Sequence, residues 1–140
     1  MARAKFDEVL EAFEFVSAGQ PMENEAFLSR DTGVIHWRSD YDDKLEPLPG
    51  DIDEGEKYIA MPHKYDLDLG KHLVLRFAEE SMSDALDEVR DIFSRRGAYA
   101  RFKDLLEHRG MLQQWDEYEA AAKREALQEW CRENGVEIDG

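Results

Sequence analysis

The spacing of apolar residues changes period twice along this chain, and neither an all-helical fold nor an alternating βαβ fold accommodates both changes. Phe6, Val9, Leu10, Phe13 and Val16 recur at steps of three and four, which marks one buried face of a helix. The spacing predicts a helix over 5–18, stopped by Gly19 in a left-handed cap and by Pro21, which cannot continue it. Phe15 falls off the stripe, so a second side of this helix is expected to be covered. From Glu25 to Arg38 the period shortens. Ala26, Leu28 and Arg30 alternate with Phe27 and Ser29, then Asp31-Thr32-Gly33 precedes Val34-Ile35-His36-Trp37-Arg38. A Gly-containing turn between β-branched and aromatic runs reads as a hairpin. A lone hairpin is marginal, so Lys57-Tyr58-Ile59-Ala60-Met61, ended by Pro62, is the expected third strand.

After Pro62 the helical period returns and holds to the end. Leu69, Leu73, Val74 and Phe77 form one stripe. Ser81-Met82-Ser83-Asp84 offers a capping box in which Ser81 accepts from first-turn amides. Leu86, Val89, Ile92 and Phe93 follow, broken at Gly97; Tyr99, Phe102, Leu105 and Leu106 follow in turn, closed by Gly110. Trp115, Tyr118, Ala122, Ala126 and Trp130 stripe a last helix that ends at Asn134-Gly135. Val136-Glu137-Ile138 is too short to assign. The expectation is an α+β fold: a helix over 5–18, a sheet with an acidic loop over 25–62, and a bundle of three to four helices over 67–134, within a single domain spanning 1–140. With no βαβ unit, no strand edge supplies the usual nucleotide crevice.

Charge narrows the functional classes. The 140 residues hold 33 acidic and 18 basic side chains, a net charge of −15, so nonspecific coating of nucleic acid is disfavoured by the field of the whole molecule. No apolar run approaches the roughly 18 residues of a membrane helix, and Asp7, Glu8 and Glu11 fall where a secretory leader needs apolar residues. A cytoplasmic protein is expected, with its single cysteine, Cys131, reduced, buried and unavailable for an internal disulfide or a multi-cysteine zinc site. Residues 40–56 carry eight carboxylates against Lys44 alone and read as an exposed loop. Within it Asp51-Ile52-Asp53-Glu54-Gly55-Glu56 begins like a calcium loop, but Gly55 comes one position early and Pro62 stands where the closing Glu belongs. No metal site and no cofactor are expected.

One segment opposes the general charge. Residues 90–109 contain six basic and three acidic side chains, with Tyr99 and Phe102 interleaved. Gly97 lets the backbone turn, and the amides that follow open a helix toward an anion. Arg95, Arg96 and Arg101 add guanidinium groups suited to bidentate bonds, and Lys103 a further cation. The candidate site is therefore Arg95, Arg96, Gly97, Tyr99, Arg101 and Lys103, binding an acidic or anionic partner without catalysis. On a helix Arg101 shares a face with Asp104 and His108, whereas Lys103 shares one with Glu107, and carboxylates of the chain itself compete for these cations. Two alternatives stand beside this reading. The same segment would bind nucleic acid with Tyr99 stacking on a base, or His63 or His72 would act with Asp66 and Asp68 as an acid–base pair. No HExxH spacing, nucleophile elbow or Gly-rich phosphate loop occurs.

The run Ser94-Arg95-Arg96-Gly97-Ala98-Tyr99-Ala100-Arg101-Phe102-Lys103-Asp104-Leu105-Leu106, with Gly110, Trp115, Glu129-Trp130-Cys131-Arg132-Glu133-Asn134-Gly135 and the upstream Tyr58-Ile59-Ala60-Met61-Pro62, resembles the bacterial uncharacterised protein family 0158 of the UPF series. The resemblance extends from the Phe6 helix to Gly135. It implies a small bacterial cytoplasmic protein and transfers no activity and no catalytic residue. It directs attention to Gly97, Arg101, Phe102, Lys103, Trp115 and Trp130.

Overall fold

The computed structural model describes residues 2–41 and 45–139; Asp42 and Asp43 of the acidic stretch lie outside the described residues. The fold is α+β. The chain forms two compact units, Met1–Leu67 with Arg124–Gly140, and Asp68–Lys123.

In the first unit a short strand β1 (Ala2–Lys5) runs directly into helix α1 (Phe6–Ser17). Phe6, Val9, Ala12, Phe13 and Val16 are buried on one face, and Asp7 and Glu8 meet the positive end of the helix. Phe15, off that face, sets its ring edge-on against Trp37 at 5.0 Å. Helix α1 ends one residue earlier than expected and without a left-handed cap, because Ala18 remains in the right-handed region. A Cβ at Gly19 would stand 2.8 Å from the Glu23 carboxylate, the far end of a flexible side chain that can move aside.

Strands β2 (Asn24–Ser29), β3 (Ile35–Ser39) and β4 (Tyr58–Ala60) form an antiparallel sheet in the order β3-β2-β4. Asn24, Ala26 and Leu28 are buried on one face of β2. The register places Ser39, Trp37 and Ile35 beside them. The hairpin turn is held by Ser29, whose Oγ accepts from the Asp31 and Thr32 amides at 3.3 and 3.2 Å. Gly33 is obligatory there, since its φ is +77° and a Cβ would lie 2.1 Å from the Arg3 carbonyl. Asn24 Nδ2 donates to the Phe15 carbonyl at 3.1 Å, satisfying an acceptor near the α1 terminus. Of the expected acidic loop, residues 45–56 run through successive turns toward β4; Lys57, expected to open that strand, lies just before it, its Nζ 3.2 Å from Asp51 and 3.3 Å from Glu54.

The second unit is helical: α2 (Lys71–Ser81), a 3-10 turn at Ser83–Ala85, α3 (Leu86–Ile92), α4 (Ala98–Arg109) and the first half of α5 (Leu112–Glu133). Its core gathers Leu73, Val74, Phe77, Met82, Val89, Phe102, Leu106 and Trp115. Phe77 and Phe102 each meet Trp115 edge-on at 5.2 Å, the arrangement the ring quadrupoles favour. Burying each such side chain contributes about 1.5–3 kcal/mol. The Ser81 capping box does not form. Ser81 is the last residue of α2, and neither Ser83–Ala85 nor α3 has a side-chain cap.

Helix α5 passes from the second unit into the first, with Trp115 buried in one and Trp130 and Cys131 in the other. Burial pushes the Cys131 thiol up to about 11, which leaves it protonated and unreactive at neutral pH. Gly135, with φ +70°, ends the helix and turns the chain into β5 (Val136–Asp139), which pairs in parallel with β1. Arg3 reaches Glu137 at 3.2 Å across this pair.

Candidate functional site

Helix α3 gives way at Phe93 to a run of turns. The Ser94 amide donates to the Asp91 carbonyl at 3.2 Å and the Arg95 amide to Ile92 at 3.3 Å, while Ser94 Oγ donates to the Asp91 carbonyl at 2.6 Å. Gly97 reverses the path with φ +72° and stands at the N-terminus of α4. Only glycine occupies that angle without strain. No side chain caps α4 and no acid lies in its first turn, so the positive end of its dipole is not neutralised from within the helix.

Arg95, Arg96, Gly97, Tyr99, Arg101 and Lys103 are all exposed. Arg95 Nη2 lies 3.5 Å from Asp91 Oδ1, with both side chains about two-thirds exposed, an ion pair of little strength in water. Farther along, Arg109 donates to Asp84 at 2.6 Å and Arg90 lies 3.8 Å from Asp87. Arg96, Arg101 and Lys103 make no ion pair among the described residues. The hydrogen bond from Arg109 holds the Asp84 carboxyl below its ordinary range.

The helix does not bring all of these cations together. Phe102 and Leu106 define the buried stripe of α4, and positions 101 and 103 fall on opposite flanks of it. Gly97 and Arg101, four residues apart, share one side with the turn that carries Arg95 and Arg96. Lys103 lies on the other flank with Glu107. Tyr99 is 41% exposed, and its ring stands edge-on to Phe93 at 5.1 Å, so one edge of the ring is already packed against the turn.

The histidines have other roles. His63 is buried. Its Nδ1 accepts from the Tyr65 amide at 3.2 Å, so Nε2 carries the proton and donates to the Gly19 carbonyl at 2.8 Å. Asp66, offered as its acidic partner, accepts instead from the His63 amide at 2.9 Å. His63 thus fastens the chain after β4 to the end of α1. His72 lies 3.6 Å from Asp68, both largely exposed. Neither pair forms an enclosed acid–base site. His36 sets its ring edge-on to Tyr58 at 5.8 Å. Among the described residues no group of three or more His, Cys, Asp or Glu is placed to hold a metal ion, and no helix is long and apolar enough to cross a membrane.

Sequence reasoning passed over the concave part of the first unit. A hollow of about 590 Å³ is lined by Ser29, Val34, His36, Asp51, Lys57 and Tyr58 among others. One of about 500 Å³ lies between α1 and β3, lined by Glu8, Glu11, Val34, Ile35 and Trp37. A third, of about 200 Å³, is lined by residues 34–37 with Leu45 and Glu46. The available signal was an apolar residue, Val34, directly after the exposed Asp31-Thr32-Gly33 turn at the start of the expected strand. Tyr58 donates to Asp51 at 3.0 Å; Lys57 above all, and then Tyr58, hold that carboxyl below its ordinary range.

No curated protein and no solved structure matches the chain. The pattern of one family, described as "Uncharacterised protein family (UPF0158)", matches residues 5–139. The match takes in both units and the whole of the candidate segment, and the chain belongs to this family.

Proposed function

We propose that this protein is a non-enzymatic interaction or regulatory module that engages an acidic partner through the basic segment around Gly97. The observation that carries the reading is the exposure of Arg96, Arg101 and Lys103 without an ion pair among the described residues, in a chain of net charge −15. Internal carboxylates are abundant, yet three cations near one helix start remain without them. Arg96 and Arg101 flank the uncapped end of α4, where guanidinium forks and backbone amides recognise a carboxylate together. Because the whole molecule repels anions, recognition acts at short range, within about 8–10 Å at physiological salt. Carboxylates of a protein partner suit this better than a nucleic-acid strand, since the Tyr99 ring packs on Phe93. The reading places the protein in the bacterial cytoplasm, where the buried Cys131 thiol stays reduced.

The test is titration with a poly-glutamate peptide and, separately, a single-stranded oligonucleotide. The expected result is saturable binding of the peptide that disappears when Arg95, Arg96, Arg101 and Lys103 are replaced together by serine, with melting nearly unchanged. Collapse of melting would make those residues internal ties. Binding of the oligonucleotide alone, weakening steeply with salt, would replace this reading with the nucleic-acid one.

A further inference from the structure

Strand β3 is a sheet edge whose outer side no described strand covers. The Ser29 amide donates to the Val34 carbonyl and the Asp40 amide to the Glu23 carbonyl, each at 2.9 Å. In an antiparallel ladder these bonds alternate, so Val34, His36, Arg38 and Asp40 direct their main-chain groups at β2. Ile35, Trp37 and Ser39 therefore direct theirs outward. Natural edges are usually blunted by proline, lysine or a bulge. Here the register runs unbroken through five pairs from Asn24↔Ser39 to Leu28↔Ile35, and the strand has neither proline nor lysine. Its one cation, Arg38, is engaged by Glu25 at 2.9 Å and by Asp40 and the Met22 carbonyl at 2.7 Å.

Each of these three hollows includes Val34, itself 54% exposed, so they line the edge on both faces of the sheet. The hollow on the α1 side presents Glu8, Glu11 and the Trp37 ring and, among the described residues, no basic group. The one along the edge adds Glu46 and His36 and, among the described residues, no Lys or Arg. On the opposite face stand Val34, His36 and Tyr58, with Lys57 already held by Asp51 and Glu54.

We propose that the β3 edge takes up an extended segment of a partner protein in which basic residues alternate with apolar ones. An added strand turns successive side chains to opposite faces. Its Lys or Arg side chains meet Glu8, Glu11 and the face of Trp37, and its apolar side chains cover Val34 and Tyr58. Outward amides and carbonyls of Ile35, Trp37 and Ser39 supply the main-chain bonds. A second copy of this chain fits poorly, because pairing β3 with β3 would set Glu8 and Glu11 near their own counterparts.

The probe is the blocked peptide Lys-Val-Lys-Val-Lys-Val-Lys, added to the full chain while amide hydrogen exchange is followed by NMR. The peptide is expected to slow exchange at Ile35, Trp37 and Ser39 by about tenfold or more, the effect of one added main-chain bond each, while Val34, His36 and Arg38 change little. The Glu-Val peptide of the same pattern is expected not to bind. Ile35→Pro removes an outward donor without touching the β2 ladder and should abolish binding with melting changed by a few degrees. Should that variant fail to fold, a peptide N-methylated on its pairing edge asks the same question of the unaltered protein. Glu8→Gln with Glu11→Gln should weaken binding several-fold and flatten its salt dependence. Equal binding of the Glu-Val or N-methylated peptide overturns the proposal. So does protection of the outward amides in the peptide-free protein, whether independent of concentration (the chain's own cover) or rising with it (a second copy).

Discussion

The two ends of α4 are set by glycines at nearly the same backbone angle, φ +72° at Gly97 and +69° at Gly110, but among the described residues only the Gly110 end is closed by capping bonds and an ion pair of the helix. At the C-terminus the Gly110 amide donates to Glu107 at 3.1 Å and the Met111 amide to Leu106 at 2.8 Å. Together these bonds form a Schellman closure that satisfies the last carbonyls. His108 and Arg109 stand in the last turn, where positive charge suits the dipole, and Arg109 is fastened to Asp84. At the N-terminus there is no side-chain cap and no acid in the first turn, and Arg96 and Arg101 make no ion pair among the described residues. One terminus stabilises; the other presents charge. Stability and availability are thus separated along about 18 Å of a single helix, at 1.5 Å per residue.

The largest expected effect calibrates both ends. Phe102 is 1% exposed and packs against Trp115 and Phe93, so Phe102→Ala should cost about 3–5 kcal/mol in denaturant unfolding. A much smaller cost would mean that α4 contributes little to the core and that its ends need not be held at all. Next come the glycines. A Cβ meets nothing within 4 Å at either position, so Gly97→Ala and Gly110→Ala should each cost only the left-handed strain, about 1–2 kcal/mol. Unequal costs would show that one turn relaxes and the other does not, which breaks the symmetry of the comparison.

The same helix shows what sequence made legible. Gly97 and Gly110 bracket the Tyr99, Phe102, Leu105, Leu106 stripe, and both bounds of α4 follow from that local pattern. The hairpin and third strand were equally readable, because the turn chemistry of Asp31-Thr32-Gly33 and the stop at Pro62 are local. The β1–β5 pair was not. Ala2-Arg3-Ala4-Lys5 has little strand propensity, and only pairing with residues more than 130 positions away makes it a strand. The same limit applies to the ion pairs: sequence shows six basic residues over 90–109 but not that Asp84 takes Arg109 while Asp91 takes Arg95. At the β3 edge, alternation marked Val34 to Arg38 as a strand without showing which side lacks a neighbour.

A smaller effect comes from the tied end. The Arg109 hydrogen bond lowers the Asp84 carboxyl from an ordinary value of 3.8. A carboxyl lowered in the folded state stabilises fully above its unfolded value, and that stabilisation is lost as pH falls through the folded one. The difference in Tm between the native protein and Asp84→Asn should therefore be constant through neutral pH and vanish in strongly acidic solution. Asp84 is 72% exposed on its side chain, so the difference should be smaller than either glycine effect. A difference that grows on acidification would mean that Arg109 is held by something other than this carboxylate.

The smallest effect is the most discriminating. Replacing Arg96, Arg101 and Lys103 by serine removes no ion pair among the described residues and no buried side chain, so unfolding should change by less than about 0.5 kcal/mol per site. The direction is also constrained. Removing three cations from a molecule of net charge −15 increases its self-repulsion, so any loss of Tm should shrink on adding salt. A loss that persists in high salt would instead show these side chains making short-range contacts that stabilise the fold. The Gly97 end of α4 would then be tied like the Gly110 end, and the contrast between them would disappear.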